Sequence, residues 1–200
     1  MKELTKDNIM RVVSSFLQEW DASSTRRTTS PTRPNGWQPP PHGLIKIKLD
    51  ASFYHVNRQS FSGIIFKNNG LIMVVTYLNP SVPSPEMAEA IACSLALRLA
   101  EDLSFRRLLV EGDALTVILK INSISEDRSD ICPIISNIKE RNRSFELITF
   151  MHVPRKMNNP THVLAEVGKT FTNPMVWIEE TPPAMKEAAV RDKLWVDPPN

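Results

Sequence analysis

Three carboxylates stand where a mixed chain of strands and helices builds its sites. Asp50 is near the end of a predicted strand, Glu89 lies one turn inside a predicted helix, and Asp113 comes just past the C-terminal end of another predicted strand. Carboxylates brought together repel one another unless a cation neutralises them, and a hard divalent cation with oxygen ligands suits that task. A pair of such cations can activate a water and stabilise a leaving oxygen, which is the chemistry of phosphodiester cleavage. Each acid also has a plainer use. Asp50 alone reads as an acid in water or in a turn, Glu89 as part of an exposed stripe on an otherwise buried helix, and Asp113 as a helix N-cap. The chemistry depends on whether the fold brings the three together.

The elements that must position them are legible in the hydrophobic pattern. From Leu44 to Phe53, Ile45, Ile47 and Leu49 alternate with Lys46, Lys48 and Asp50, the period of a half-buried strand. Phe61 to Lys67 and Leu71 to Leu78 are β-rich runs around Asn68-Asn69-Gly70, a strong hairpin signal, so the domain opens as a three-stranded antiparallel meander. Ser84-Pro85-Glu86 has the N-cap, first-turn proline and dipole-matched acid of a helix start. Met87, Ala88, Ala90, Ile91, Leu95 and Leu99 make that helix largely buried. Arg107 to Val110 then reads as a short strand, Ala114 to Lys120 as a helix, Pro133 to Arg143 as a helix, Phe145 to Val153 as a strand and Thr161 to Thr170 as a final helix. Strands alternating with helices predict parallel pairing, an α/β fold and strand ends converging on one edge.

Two hundred residues with 42% hydrophobic content can bury one sizeable core, while 16 prolines against 6 glycines predict irregular flanks. The expected organisation is an amphipathic helical segment at 1–21, carrying Leu4, Ile9, Val12, Val13, Phe16, Leu17 and Trp20, and a Pro/Ser/Arg-rich linker at 22–43. The core domain follows at 44–171 and a Pro-rich tail at 172–200. A formal net charge of only +2 excludes a global polycation, so any nucleic-acid function must come from a local site. Cys93 and Cys132 lack metal-ligand spacing and predict free thiols in a reducing intracellular compartment, nuclear or cytoplasmic. There is no signal-peptide pattern and no apolar run of membrane-spanning length, which predicts a soluble protein with no membrane partner, and a monomer is expected.

The order and surroundings of the three acids resemble the ribonuclease H family, particularly the ribonuclease H-like domain found in plants at the end of retrotransposon-type reverse transcriptases. The matching stretches are Trp37 to Gly43 with Lys46 to Ser52, the Asn-Gly hairpin, Ala88-Glu89-Ala90, Val110-Glu111-Gly112-Asp113, and Val153-Pro154-Arg155 through Asn158 to Leu164-Ala165. The resemblance implies a five-stranded mixed sheet flanked by helices, its first three strands antiparallel. It also implies a divalent-metal-dependent endonuclease that cuts the RNA strand of RNA-DNA hybrids, with Asp50, Glu89 and Asp113 as ligands for magnesium or manganese. The alternative it leaves open is a catalytically weak or inactive nucleic-acid-binding module derived from a retrotransposon.

Three departures from the family pattern bear on that expectation. The fourth acidic position falls on His162, a poorer magnesium ligand than a carboxylate, but one that can act as a proton shuttle or simply cap or pack. The family's Asp-Gly dipeptide is Asp50-Ala51 here, and Phe61 in Ser60-Phe61-Ser62-Gly63 would either obstruct a nucleic-acid backbone or stack on it. Lys67, Arg106, Arg107, Arg155 and Lys156 are basic residues that could supply phosphate contacts, although exposed basic residues are usually only solvated.

Overall fold

The computed structural model of the chain describes residues 43–68, 72–178 and 182–185. The predicted N-terminal helix, the linker up to residue 42 and the tip of the Asn-Gly hairpin lie outside them.

The alternating run forms β1 (Ile45–Tyr54), followed by β2 (Gln59–Lys67) and β3 (Ile72–Asn79) in the predicted antiparallel meander. Helix α1 (Pro85–Asp102) starts where Ser84 accepts a hydrogen bond from the Met87 N–H, the cap its sequence announces. Next come β4 (Arg107–Gly112), α2 (Leu115–Asn122), α3 (Cys132–Arg141), β5 (Leu147–His152), α4 (Asn159–Gly168) and β6 (Met175–Ile178). The strands lie in the order β5-β4-β1-β2-β3-β6, with β4 parallel to both β1 and β5 and the remaining pairs antiparallel.

Among the described residues the sheet therefore has six strands, not five. Met175-Val176-Trp177-Ile178 pairs antiparallel with β3 and buries Val176. The surrounding prolines, Pro174 and Pro182, masked this four-residue apolar run in the sequence, although proline flanking a short edge strand is one of the places it is tolerated.

Helices α1, α2 and α3 cover one face of the sheet around a core that includes Ile47, Leu49, Ile64, Phe66, Leu97, Leu108, Val110, Ile118 and Ile135. Helix α4 covers the other face, where Leu164 packs with Ile65 and Val74. It comes unusually close because Gly63 on β2 has no side chain: a Cβ there would stand 2.5 Å from the Thr161 carbonyl oxygen and 2.8 Å from the Ala165 nitrogen. Gly63 is the cross-strand partner of Asp50, so this close approach is made beside the first of the three acids.

Candidate metal centre

The register of β1 against β4 brings two of the carboxylates together. The parallel ladder ends with Leu49 opposite Gly112, so Asp50 and Asp113 each stand one residue beyond it. Asp50 is thus mid-strand in β1; what ends beside it is β4. Its side chain is only 5% exposed, because α4 closes over it, whereas the strand period alone placed it on a solvated face. Asp113 does not cap α2. The cap position is Ala114, with no side-chain cap bond, and the Asp113 carboxylate instead accepts a 3.2 Å hydrogen bond from Asn158 Nδ2.

Glu89 arrives from the opposite face on α1. Its Oε1 accepts the Ala51 N–H at 3.2 Å, which fixes the carboxylate beside Asp50. Its Oε2 is buried and meets no hydrogen-bond partner. An oxygen of each of Asp50, Glu89 and Asp113 lies within 4.8 Å of the other two. Burial raises the Asp50 pKa, and the neighbouring Asp113 charge raises it further against the lowering pull of His162. Glu89 is pushed well above the ordinary carboxylate range by burial, then by Asp50 and Asp113. Buried, mutually repelling acids with an orphaned oxygen suit a hard divalent cation, which takes oxygen ligands and repays their desolvation.

His162, on the first turn of α4, donates from Nδ1 to Asp50 Oδ2 at 2.8 Å. The direction follows from the partner, since an ionised carboxylate can only accept; Arg155 Nη2 stands beside the same ring, 3.3 Å from His162 Nε2 and 3.5 Å from Nδ1. The histidine thereby holds one oxygen of Asp50 in place.

The loop between β5 and α4 is fastened to the sheet beneath this chain of contacts. Asn158 is fully buried and donates to the Leu49 carbonyl at 2.7 Å as well as to Asp113, while its Oδ1 accepts from Thr161 Oγ1 at 2.7 Å. Lys48 donates to the Met157 carbonyl at 2.5 Å, and Lys46 and Lys48 flank the buried Glu111 at 2.9 and 3.6 Å. The strand face that reads as solvated lysine is therefore a support for the loop. Beyond Asp50 on the same strand, Ser52 and Tyr54 both hydrogen-bond Glu166, one helical turn after His162. Glu166 escaped the sequence reading; its spacing of four from His162 was the available signal.

These residues line one cleft of roughly 520 Å³, with Asp50, Glu89, Asp113, Arg155, His162 and Glu166 among its walls. Phe61 is not available to stack on a base. It is buried, edge-on to Tyr54 and against the position of Gly168. Burial pushes the Cys93 thiol up to about 12, with the Glu89 charge adding to it, so this cysteine is no nucleophile. Among the described residues no helix is long and apolar enough to cross a membrane.

Solved structures identify the class. RNase H1 from the halophilic archaeon Halobacterium salinarum NRC-1 superposes with a TM-score of 0.59 at 19% identity, covering 64% of this chain and 98% of its own. The N-terminal RNase H domain of rv2228c from Mycobacterium tuberculosis, solved as a fusion with maltose-binding protein, gives 0.56 at 15% identity, covering 74% and 97%. LC11-RNase H1, solved in complex with an RNA/DNA hybrid, gives 0.54 at 15% identity over 62% and 94%. At such identities the likeness establishes the fold, which is ribonuclease H-like. The sequence profile of the reverse transcriptase-like family matches residues 48–168, and the chain belongs to that family. No curated protein sequence matches it.

Proposed function

We propose that the chain is a divalent-metal-dependent endonuclease acting on the RNA strand of RNA-DNA hybrids, with Asp50, Glu89 and Asp113 as the metal ligands and magnesium or manganese as the ion. The observation that carries this reading is the meeting of three carboxylates within 4.8 Å, one of them presenting a buried oxygen that no protein group satisfies. A hybrid substrate is supported by the ribonuclease H-like fold, which is shared with a protein solved on such a hybrid.

The residues divide the work as follows. Asp50 would hold the ion together with Glu89 and Asp113. Glu89 has one oxygen tied to Ala51 and offers the other. Asn158 orients Asp113, and His162 orients Asp50. A bound divalent cation would neutralise the three acids, activate the attacking water and stabilise the leaving oxygen. His162, hydrogen-bonded to Asp50 through Nδ1, is also placed to pass a proton.

A catalytically attenuated nucleic-acid-binding module is the second reading, and one observation favours it. His162 engages an oxygen of Asp50 at the position where the family pattern has a fourth carboxylate. The test is cleavage of labelled RNA-DNA hybrid in magnesium and in manganese by the native chain, Asp50→Asn and His162→Asp. Cleavage by the native chain that Asp50→Asn abolishes supports the nuclease. Activity only in His162→Asp supports the attenuated site. Cleavage that survives Asp50→Asn overturns the assignment of the site.

A further inference from the structure

Arg155 differs from the other exposed basic residues in three respects. It lines the cleft that holds the three acids. Its loop is bolted to the sheet by Lys48 at the Met157 carbonyl and by Asn158 at the Leu49 carbonyl, so its backbone is fixed before anything binds. Its guanidinium meets His162 Nε2 at 3.3 Å, and none of the ion pairs among the described residues includes it. With only Nη2 beside the ring, 3.3 Å from Nε2 and 3.5 Å from Nδ1, most of the five N–H donors of the guanidinium are left for another acceptor.

A cation on an anchored loop, separated from Asp50 by a single imidazole in a cleft that also carries Glu89, Asp113 and Glu166, is matched to a polyanion that passes over the acids. We propose that Arg155 grips a backbone phosphate at, or immediately next to, the phosphodiester that is cut, with His162 holding the guanidinium in register with Asp50. The proposal rests on the reading of the cleft as a nucleic-acid site. A guanidinium fork can bind two phosphate oxygens at once, which fixes where the backbone lies as well as holding it. The histidine thereby links substrate placement to the orientation of the central carboxylate.

The test is binding of a fluorescent RNA-DNA hybrid to the full chain without divalent metal, titrated over a range of salt, with cleavage measured separately in magnesium and manganese. Arg155→Ala is expected to weaken binding roughly tenfold and to lower the slope of log affinity against log salt by about one, the signature of one lost phosphate contact. Arg155→Lys should restore the slope but only part of the affinity, since it returns the charge without the fork. Arg128, whose side chain is 89% exposed on a distant loop, is the control for net charge, and Arg128→Ala should change neither quantity. An Arg155→Ala protein that binds as the native chain does, or an Arg128→Ala protein that loses as much, overturns the proposal. So does lost binding accompanied by a lowered melting temperature that Arg155→Lys leaves unrepaired in binding, which would assign Arg155 a structural role. A native chain that binds hybrid without cutting it refutes the nuclease reading and leaves the Arg155 comparison decisive; a native chain that binds no hybrid overturns both.

Discussion

Gly63→Ala is the smallest change that should dismantle the site without touching any of its polar groups. The added Cβ would lie 2.5 Å from the Thr161 carbonyl oxygen, 2.8 Å from the Ala165 nitrogen and 3.2 Å from Leu164 Cβ, and the first two are helix backbone that cannot rotate away. Restoring ordinary contact near ~3.4 Å requires α4 to retreat by about 1 Å. A retreat of that size would stretch the 2.8 Å contact between His162 Nδ1 and Asp50 Oδ2 beyond hydrogen-bonding distance. It would also loosen Leu164 from Ile65 and Val74. Overpacking of this kind costs about 1–3 kcal/mol, a fall in melting temperature of roughly 4–15 °C for a domain of this size. Thermal unfolding by circular dichroism reads the stability, and the nitrogen shifts of the His162 ring read whether Nδ1 still donates. A variant that melts with the native chain and keeps the His162 signature would refute the claim that α4 is seated on the β2 backbone and thereby positions the histidine.

Other perturbations separate electrostatics from packing. Asp50 and Glu89 have raised pKa values in the fold, so the native state holds protons that the unfolded chain has released, and the metal-free protein loses stability as pH rises from the ordinary carboxylate range through the raised values. Asp50→Asn or Glu89→Gln should therefore raise the metal-free melting temperature at neutral pH and flatten that dependence; a lowered melting temperature at neutral pH would contradict it. Because the same acids must shed protons to bind metal, calorimetric titration of manganese should show proton release that diminishes as pH rises. Asn158→Ala strips the partner from Asp113 and from the Leu49 carbonyl, and should weaken manganese binding by roughly 10–100-fold in the same titration. Val176→Ala removes buried volume from β6 and should lower stability by roughly 1–3 kcal/mol in urea, a change absent if β6 does not pair with β3.

The ribonuclease H-like fold was legible because its signals are local. Alternation in β1, the capped start of α1 and the switch from meander to strand-helix alternation each follow from a few adjacent residues. What escaped the sequence depends on pairing across the chain. The burial of Asp50 comes from α4, more than a hundred residues later, and the adjacency of Asp50 and Asp113 comes from where the β1–β4 ladder stops. Asp113 satisfies the composition of an N-cap, yet Asn158 claims its carboxylate first. Lys46 and Lys48 look like a solvated strand face until Glu111 and the Met157 carbonyl are placed against them. Phe61 sits where a substrate contact was expected, but the closeness of α4 turns it into core. Strand β6 was hidden by prolines that bound it and do not interrupt it.

The central claim is that Asp50, Glu89 and Asp113 form a divalent-metal centre. Anomalous diffraction from crystals grown with manganese tests it most directly. A peak is expected within roughly 2.0–2.3 Å of carboxylate oxygens from all three residues, the otherwise unpartnered Glu89 Oε2 among them. Well-ordered acids with no peak between them, or manganese bound only elsewhere, would contradict it.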